Sequence, residues 1–172
     1  IMEGNVVQKN NGSSKEPYFA VLKDGSYAIR EFGTDFSVVQ EAISGPFFLV
    51  RNGQVAVDAS NADLMPRNSI GIKADGTVVT FVADGRQYPY SVGMTIYDQA
   101  CYLQKQGVVD AIYLDGGGSA TIATKREGTS TLEVRNSPSD GVERTVSSAL
   151  LLVSTANQDG VFDHASVEPN NQ

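Results

Sequence analysis

The sequence predicts an α+β fold: a mixed, mostly antiparallel β-sheet built from hairpins, with one main helix packed on it. Three observations carry this. Alternating apolar runs flank Asp-Gly or Asn-Gly pairs in three places, a strong short-range hairpin signal. A single segment switches to helical spacing. Glycine supplies 17 of the 172 residues, above the usual share of about 7%, and with frequent β-branched residues this suits a turn-rich β fold.

The first hairpin is "YFAVLKDGSYAIREF" (18–32), two alternating runs around Asp24 and Gly25. "FSVVQEA" follows as a strand. A second hairpin, "PFFLVRNGQVAV" (46–57), turns at Asn52 and Gly53, and a third, "SIGIKADGTVVTFVADGRQ" (69–87), at Asp75 and Gly76. In "TIYDQACYLQKQG" (95–107), Ile96, Tyr97, Ala100, Cys101 and Leu103 recur at helical spacing. Thr95 and Asp98 fit an N-terminal capping box there, and Gly107 suits the stop. The apolar face is expected to pack on the sheet, which makes Cys101 a core residue rather than a nucleophile. "VDAIYLD" then reads as a buried strand, and "SATIATK" resumes strand after a glycine turn. "TLEVRN" and "TVSSALLLV" complete the set around the loop "SPSDGVER". One domain over residues 1–156 and a polar C-terminal tail over 157–172 is the expected organisation.

Composition removes several kinds of chemistry. A chain with 41% hydrophobic and 19% charged residues can build a real core. No apolar run approaches the roughly 20 residues of a membrane span, and no stretch reads as a signal peptide. The net charge of −7 argues against nucleic acid or an anionic membrane as partner, since both reward a basic face. An anionic substrate would need a local basic pocket in an acidic body. Cys101 is the one cysteine, so no disulfide can form within the chain. The one histidine, His164, lies in the polar stretch "NQDGVFDHASVEPNNQ". A Ser-His-Asp triad, a Cys-His pair and a His-rich zinc site are therefore disfavoured. No EF-hand spacing argues for calcium, and no cofactor or metal is expected. Catalysis would rest on carboxylates, arginines, hydroxyls and backbone amides.

"YLDGGGSATI" (113–122) places Gly116, Gly117 and Gly118 between runs that read as strand. Glycine weakens a strand, so something is expected to approach the main chain closely there. Successive N–H groups in such a turn can converge into an anion-binding nest. The Walker lysine is absent, and the β-branched run that follows argues against a helix opening at this point. A tight bulge is the plain alternative. Asp115 and Ser119, flanking the glycines at the end of a buried strand, favour a binding role.

Three arginines stand at strand ends: Arg67 before "SIGIK", Arg86 after Asp84 and Gly85, and Arg144 at the opening of the last strand. A lone arginine in such a place is usually a solvated charge worth little. Brought together, planar guanidinium groups suit two-pronged capture of phosphate or carboxylate. The loop "RNSPSDGVER" adds Asn136, Asp140 and Glu143, with Asp140 also explicable as turn chemistry.

"IYLDGGGSAT", followed by "VRNSPSDGVERTVSSALLLV", resembles the phosphodiester glycosidase family, the N-acetylglucosamine-1-phosphodiester α-N-acetylglucosaminidase-like domains. "PRNSIGIKADGTVV", "VADGR" and "SVGMTIYDQA" match in the same order, and "GPFFLVRNGQV" more loosely, so the likeness runs from about Gly45 to Val153. It implies hydrolysis of the bond between a sugar's anomeric carbon and a phosphodiester oxygen. It further implies a small-molecule or glycan substrate carrying phosphate and a secreted or cell-envelope setting. Carried over by position, Arg67, Arg86, Gly116, Gly117, Gly118, Ser119, Asn136 and Arg144 would line the cleft. Asp115 is the first choice for a catalytic carboxylate, with Asp140 or Glu143 in reserve.

The chain also departs from the family's pattern. The Asn-Gly-Gly-Phe-Phe-like opening strand is not found upstream, Ala120 stands where a second serine is common, and Ser148 where asparagine is common. Part of the site is then missing, supplied by a second chain, or lost with the activity. A non-catalytic module for phosphorylated or anionic glycans is the alternative of another class, and a structural domain with a vestigial cleft is a third.

Overall fold

A computed structural model of the chain describes residue 3 and residues 16–31, 33–126 and 128–153. The expected polar tail and His164 lie outside the described residues. Strands β1 (Pro17–Leu22) and β2 (Tyr27–Glu31) form the first hairpin, and β3 (Val39–Ser44) pairs with the other side of β1. The turn forms because the Asp24 carboxylate accepts from the Ser26 amide at 2.9 Å, closing the local ring that Asx turns use.

Strands β4 (Phe48–Arg51) and β5 (Gln54–Val55) flank Asn52 and Gly53, both at positive φ (50° and 73°). Asparagine and glycine reach that region at the least steric cost, which is why this pair sets the hairpin. Strands β6 (Arg67–Lys73) and β7 (Val78–Ala83) form the third hairpin, and β8 (Val108–Leu114) follows the helix. Strand order in the larger sheet is β5-β4-β8-β6-β7, so β8 lies in its centre. Every pairing between named strands is antiparallel.

The helix α1 (Ile96–Lys105) starts as expected. Thr95 Oγ1 accepts from the Asp98 amide at 3.0 Å and donates its hydroxyl proton to Asp98 Oδ2 at 2.7 Å. Its buried Ala100 and Leu103 pack with Leu49, Val50, Val108 and Ala111 on one face of the five-stranded sheet. The opposite face, through Ile70, Ile72 and Ile112, meets Phe19, Ile29 and Ile43 of the three-stranded sheet. The result is three layers, with β8 and β6 buried between helix and small sheet. Each isoleucine or leucine buried fully at these two seams contributes about 1.5–3 kcal/mol. Cys101 is half-buried rather than a core residue, because it stands at the margin of the helix face that Ala100 and Leu103 bury.

Two strand expectations are corrected. In "SATIATK" only β9 (Ala123–Lys125) is strand, pairing with β10 (Leu132–Val134) as a separate two-stranded ribbon. "TVSSALLLV" forms no strand in the structure. Its composition suits a strand, but a strand exists only where another offers its ladder, and Leu151 and Val153 remain exposed at 79% and 78%. Leu150 alone in this run packs against the core beneath.

Candidate active site

Strand β8 ends at Leu114, and the next residues form the glycine bend, so the central strand delivers the bend to one end of the sheet. The Gly117 amide donates to the Pro66 carbonyl at 3.0 Å, tying the bend to the residue that precedes β6. Gly117–Ser119 is a single 3-10 turn, closed by the amides of Ser119 and Ala120 donating to the Gly116 and Gly117 carbonyls at 3.2 Å each. The expected absence of a helix opening is thus corrected to one tight turn, which the β-branched Thr121 and Ile122 do not extend.

This geometry changes the reason for the glycines. Three amides of the bend are taken up by carbonyls, leaving those of Gly116 and Gly118 without an acceptor among the described residues. A full nest of converging amides is therefore not what the bend presents. What it presents is room. A Cβ on Gly116 would strike the Tyr113 hydroxyl and come within 2.7 Å of the Pro66 carbonyl. One on Gly117 would stand 3.2 Å from Arg86 Nη1, and Gly117 also needs its φ of +58°. One on Gly118 would overlap Arg144 Nη2 and the Asp140 carboxylate. Three consecutive bare positions admit four different side chains, Tyr113, Arg86, Arg144 and Asp140.

Arg86 and Arg144, far apart in the chain, thus both pack on the bend. Arg86 holds a left-handed backbone, φ 59°, a conformation that costs most residues energy and recurs where side chains are held for a purpose. Its guanidinium forms no hydrogen bond or ion pair with another described residue. Arg144 donates to Asp140 Oδ2 through Nε at 2.9 Å and Nη2 at 2.7 Å, and reaches Ser119 Oγ through Nη1 at 3.5 Å. The carboxylates of Asp115 and Glu143 make no such contact with described residues, and both are exposed.

Arg67 is different. It is 2% exposed, with Nε donating to the Met94 carbonyl at 2.8 Å, Nη2 to the Asp63 carbonyl at 2.6 Å and Nη1 to the Tyr113 hydroxyl at 3.5 Å. Its guanidinium also lies over the Tyr113 ring, 5.9 Å from the centroid. It is buried and supports Tyr113, while Arg86 and Arg144 lie against Gly117 and Gly118.

Asn136 is likewise a brace. Its Oδ1 accepts from the Ile122 amide at 2.9 Å, and its Nδ2 donates to the Ala120 carbonyl at 2.8 Å and to Asp84 Oδ1 at 2.9 Å. Asp84 escaped the sequence reading, where it looks like one more Asp-Gly turn. In the structure it gathers Asn136, the Ser137 amide and the Tyr90 hydroxyl, and its charge raises the Tyr90 pKa through that hydrogen bond. Gln87 adds a second tie, donating to the Ser137 carbonyl at 2.6 Å and accepting from its hydroxyl at 2.8 Å.

Fold and site together define an α+β domain whose central strand ends in a glycine bend packed by Arg86, Arg144 and Asp140. The chain belongs to the phosphodiester glycosidase family, whose model matches residues 1–153. It is 32% identical over 146 residues to human N-acetylglucosamine-1-phosphodiester α-N-acetylglucosaminidase, an alignment covering 69% of this chain and 28% of that protein. It is 40% identical over 87 residues to the SPbeta prophage-derived uncharacterized protein YomE of Bacillus subtilis, covering 51% of this chain and 12% of that one. The chain therefore spans under a third of the length of these curated relatives. Among solved structures, the zebrafish N-acetylglucosamine-1-phosphodiester α-N-acetylglucosaminidase catalytic domain, auto-inhibited by its pro-peptide, shares the fold. The TM-score is 0.58 at 24% identity, over 77% of this chain and 48% of that one.

Proposed function

We propose that this chain hydrolyses glycosyl phosphodiesters, breaking the bond between the anomeric carbon and the phosphodiester oxygen. One observation carries the reading: Arg86 and Arg144 pack on Gly117 and Gly118, directly after Asp115, whose exposed carboxylate makes no hydrogen bond or ion pair with described residues. The human relative, an N-acetylglucosamine-1-phosphodiester α-N-acetylglucosaminidase, supports the substrate class.

The chemistry suits these groups. An anomeric phosphate is a weakly basic leaving group, so little protonation is needed as the C–O electron pair moves onto it. Arg86 and Arg144, with the free Gly118 amide, hold the phosphate as fixed donors and take up the charge it gains. Water adds its oxygen to the anomeric carbon and gives up a proton. Asp115 either accepts that proton or steadies the oxocarbenium-like carbon. Arg67 and Asn136 act as positioning residues, the first through Tyr113 and the second through the loop that carries Asp140. Asp140 and Glu143 remain the reserve carboxylates, with Asp140 held by Arg144.

The test is hydrolysis of N-acetylglucosamine 1-(methyl phosphate) by the unchanged chain and by Asp115→Asn. The variant is expected to lose at least about a hundredfold in rate, in the range general acid–base groups supply. Undiminished turnover removes Asp115 from the mechanism. A second reading, a non-catalytic module for phosphorylated glycans, is favoured by the pairing of Asp140 with Arg144, which leaves one fewer free carboxylate. Calorimetric binding of the same diester without any turnover would select it.

A further inference from the structure

We propose that the free edge of strand β7 is a contact surface for a second copy of this chain. The two β7 strands pair antiparallel about a two-fold axis near Thr80 and join the two five-stranded sheets into one. The contact is independent of the chemistry at the glycine bend.

A strand at the edge of a sheet offers a row of unpaired amides and carbonyls, and folded proteins blunt such edges with charges, prolines, bulges or short length. The described strands include six edges: β2 and β3 of the small sheet, β5 and β7 of the large one, and both strands of the β9–β10 ribbon. Five of them are blunted. Strand β2 holds Arg30 and Glu31, β3 Glu41, β9 Lys125 and β10 Glu133, while β5 is two residues long. Strand β7, VVTFVA, has six residues with no charge and no proline. It follows β6 through six consecutive pairs, from Ile72 with Val78 to Arg67 with Ala83, without the register shifts that interrupt β1–β3, β4–β8 and β6–β8. Among the described residues nothing pairs with its outer edge.

The same features select an identical strand as the occupant. Antiparallel pairing across a two-fold axis is self-complementary. Centred on Thr80 it sets Thr80 beside Thr80 and Val78 beside Val82, β-branched neighbours that suit a pleated surface. Phe81 forms a tilted ring pair with Tyr102 at 5.3 Å, and Tyr102 is 46% exposed, so the helix layer adds an aromatic margin beside the edge. A chain of net charge −7 repels its own copy, and an uncharged edge is where two such chains can meet. The carboxylates that flank the strand are turned back into their own chain, Asp75 accepting from the Thr77 amide and Asp84 from the Ser137 amide. Six residues give about 20 Å of ladder, a contact below the roughly 1,200 Å² of standard complexes. The dimer is therefore weak, and screening of the net charge tightens it.

Sedimentation equilibrium of the whole chain, at protein concentrations up to about 500 μM and in salt of about 0.02 M and about 0.5 M, tests this. A monomer–dimer equilibrium is expected, with Kd at least about threefold lower at the higher salt. Thr80→Lys sets like charges across the axis and should raise Kd about fivefold or more. Thr80 is exposed, so the thermal midpoint of the dilute chain should not change. Thr80→Val should keep the dimer, and so should Gln54→Lys on the β5 edge at the other end of the sheet. Amides of Val78–Ala83 should gain protection from hydrogen exchange as the dimer fills. A chain that stays monomeric throughout, or a dimer that Thr80→Lys leaves intact, overturns the proposal. So do assemblies larger than a dimer, since one edge per copy builds only a pair.

Discussion

The backbone amide of Ser137 donates to both carboxylate oxygens of Asp84 at 3.0 Å each, across 53 residues of sequence. This joins the turn that carries Arg86 to the loop that carries Asp140 and Arg144. Neither arginine could face the glycine bend on a separately mobile segment. Asp84→Ala should cost about 2–3 kcal/mol in urea unfolding, since several hydrogen bonds to a charged acceptor are lost together. It should also weaken phosphodiester binding. Retention of full affinity in the variant would show that the loop holds its place without the clamp.

Gly118 and Gly71 separate function from folding. The atoms nearest to an alanine Cβ at Gly118 are those of the Arg144 guanidinium and the Asp140 carboxylate, ends of side chains that can move aside. Gly118→Ala should fold with nearly unchanged thermal midpoint and lose phosphodiester affinity about tenfold, the loss expected when one charge-assisted contact is displaced. Alanine at Gly71 would stand 2.6 Å from Val108 Cγ1 inside the sheet. Gly71→Ala should therefore lower stability by about 1–3 kcal/mol through overpacking, with any residual folded protein still binding. Calorimetric melting and titration of both variants check the contrast.

The left-handed backbone of Arg86 sets up a trade between stability and binding. Arg86→Ala and Arg86→Gly both remove the guanidinium and should weaken binding of the diester at least about tenfold. Glycine relieves the positive φ while alanine does not, so the glycine variant should be the more stable of the two by about 1 kcal/mol. Equal stability would mean the backbone at this position is unstrained.

Acid should remove the stability that the aspartate turns contribute. Hydrogen bonds from Ser26, Ser37, Ser60 and Thr77 hold the carboxyls of Asp24, Asp35, Asp58 and Asp75 below their ordinary value of 3.8. The unfolded chain then takes up protons first as pH falls. Their contribution is fully present above about pH 4, the ordinary carboxylate range, and disappears as pH drops through the lower folded values. Urea midpoints should fall in that acid range, and Asp75→Asn, which cannot titrate, should show a shallower fall. An identical profile in the variant would exclude this turn as a contributor.

Much of this molecule is written locally. Asp24-Gly25, Asn52-Gly53 and Asp75-Gly76 turn the chain where they stand, and Thr95 with Asp98 starts the helix, because turn and cap energies depend on residues two or three apart. The run Asp115 to Ser119 is also visible as a place where a side chain is unwelcome. The failure at "TVSSALLLV" has the same origin from the other side. Its β propensity is legible, but whether a partner strand lies beside it is a property of the whole fold.

What the chain's order of residues determined by itself, then, was the inventory: hairpins, one helix, a bare bend, and a set of candidate arginines and carboxylates. Tertiary structure alone decided which charges meet. It set Arg86 and Arg144 against the bend, buried Arg67 on Tyr113, and made Asp84 a clamp, because these contacts join residues 25 or more positions apart through packing that no local rule encodes.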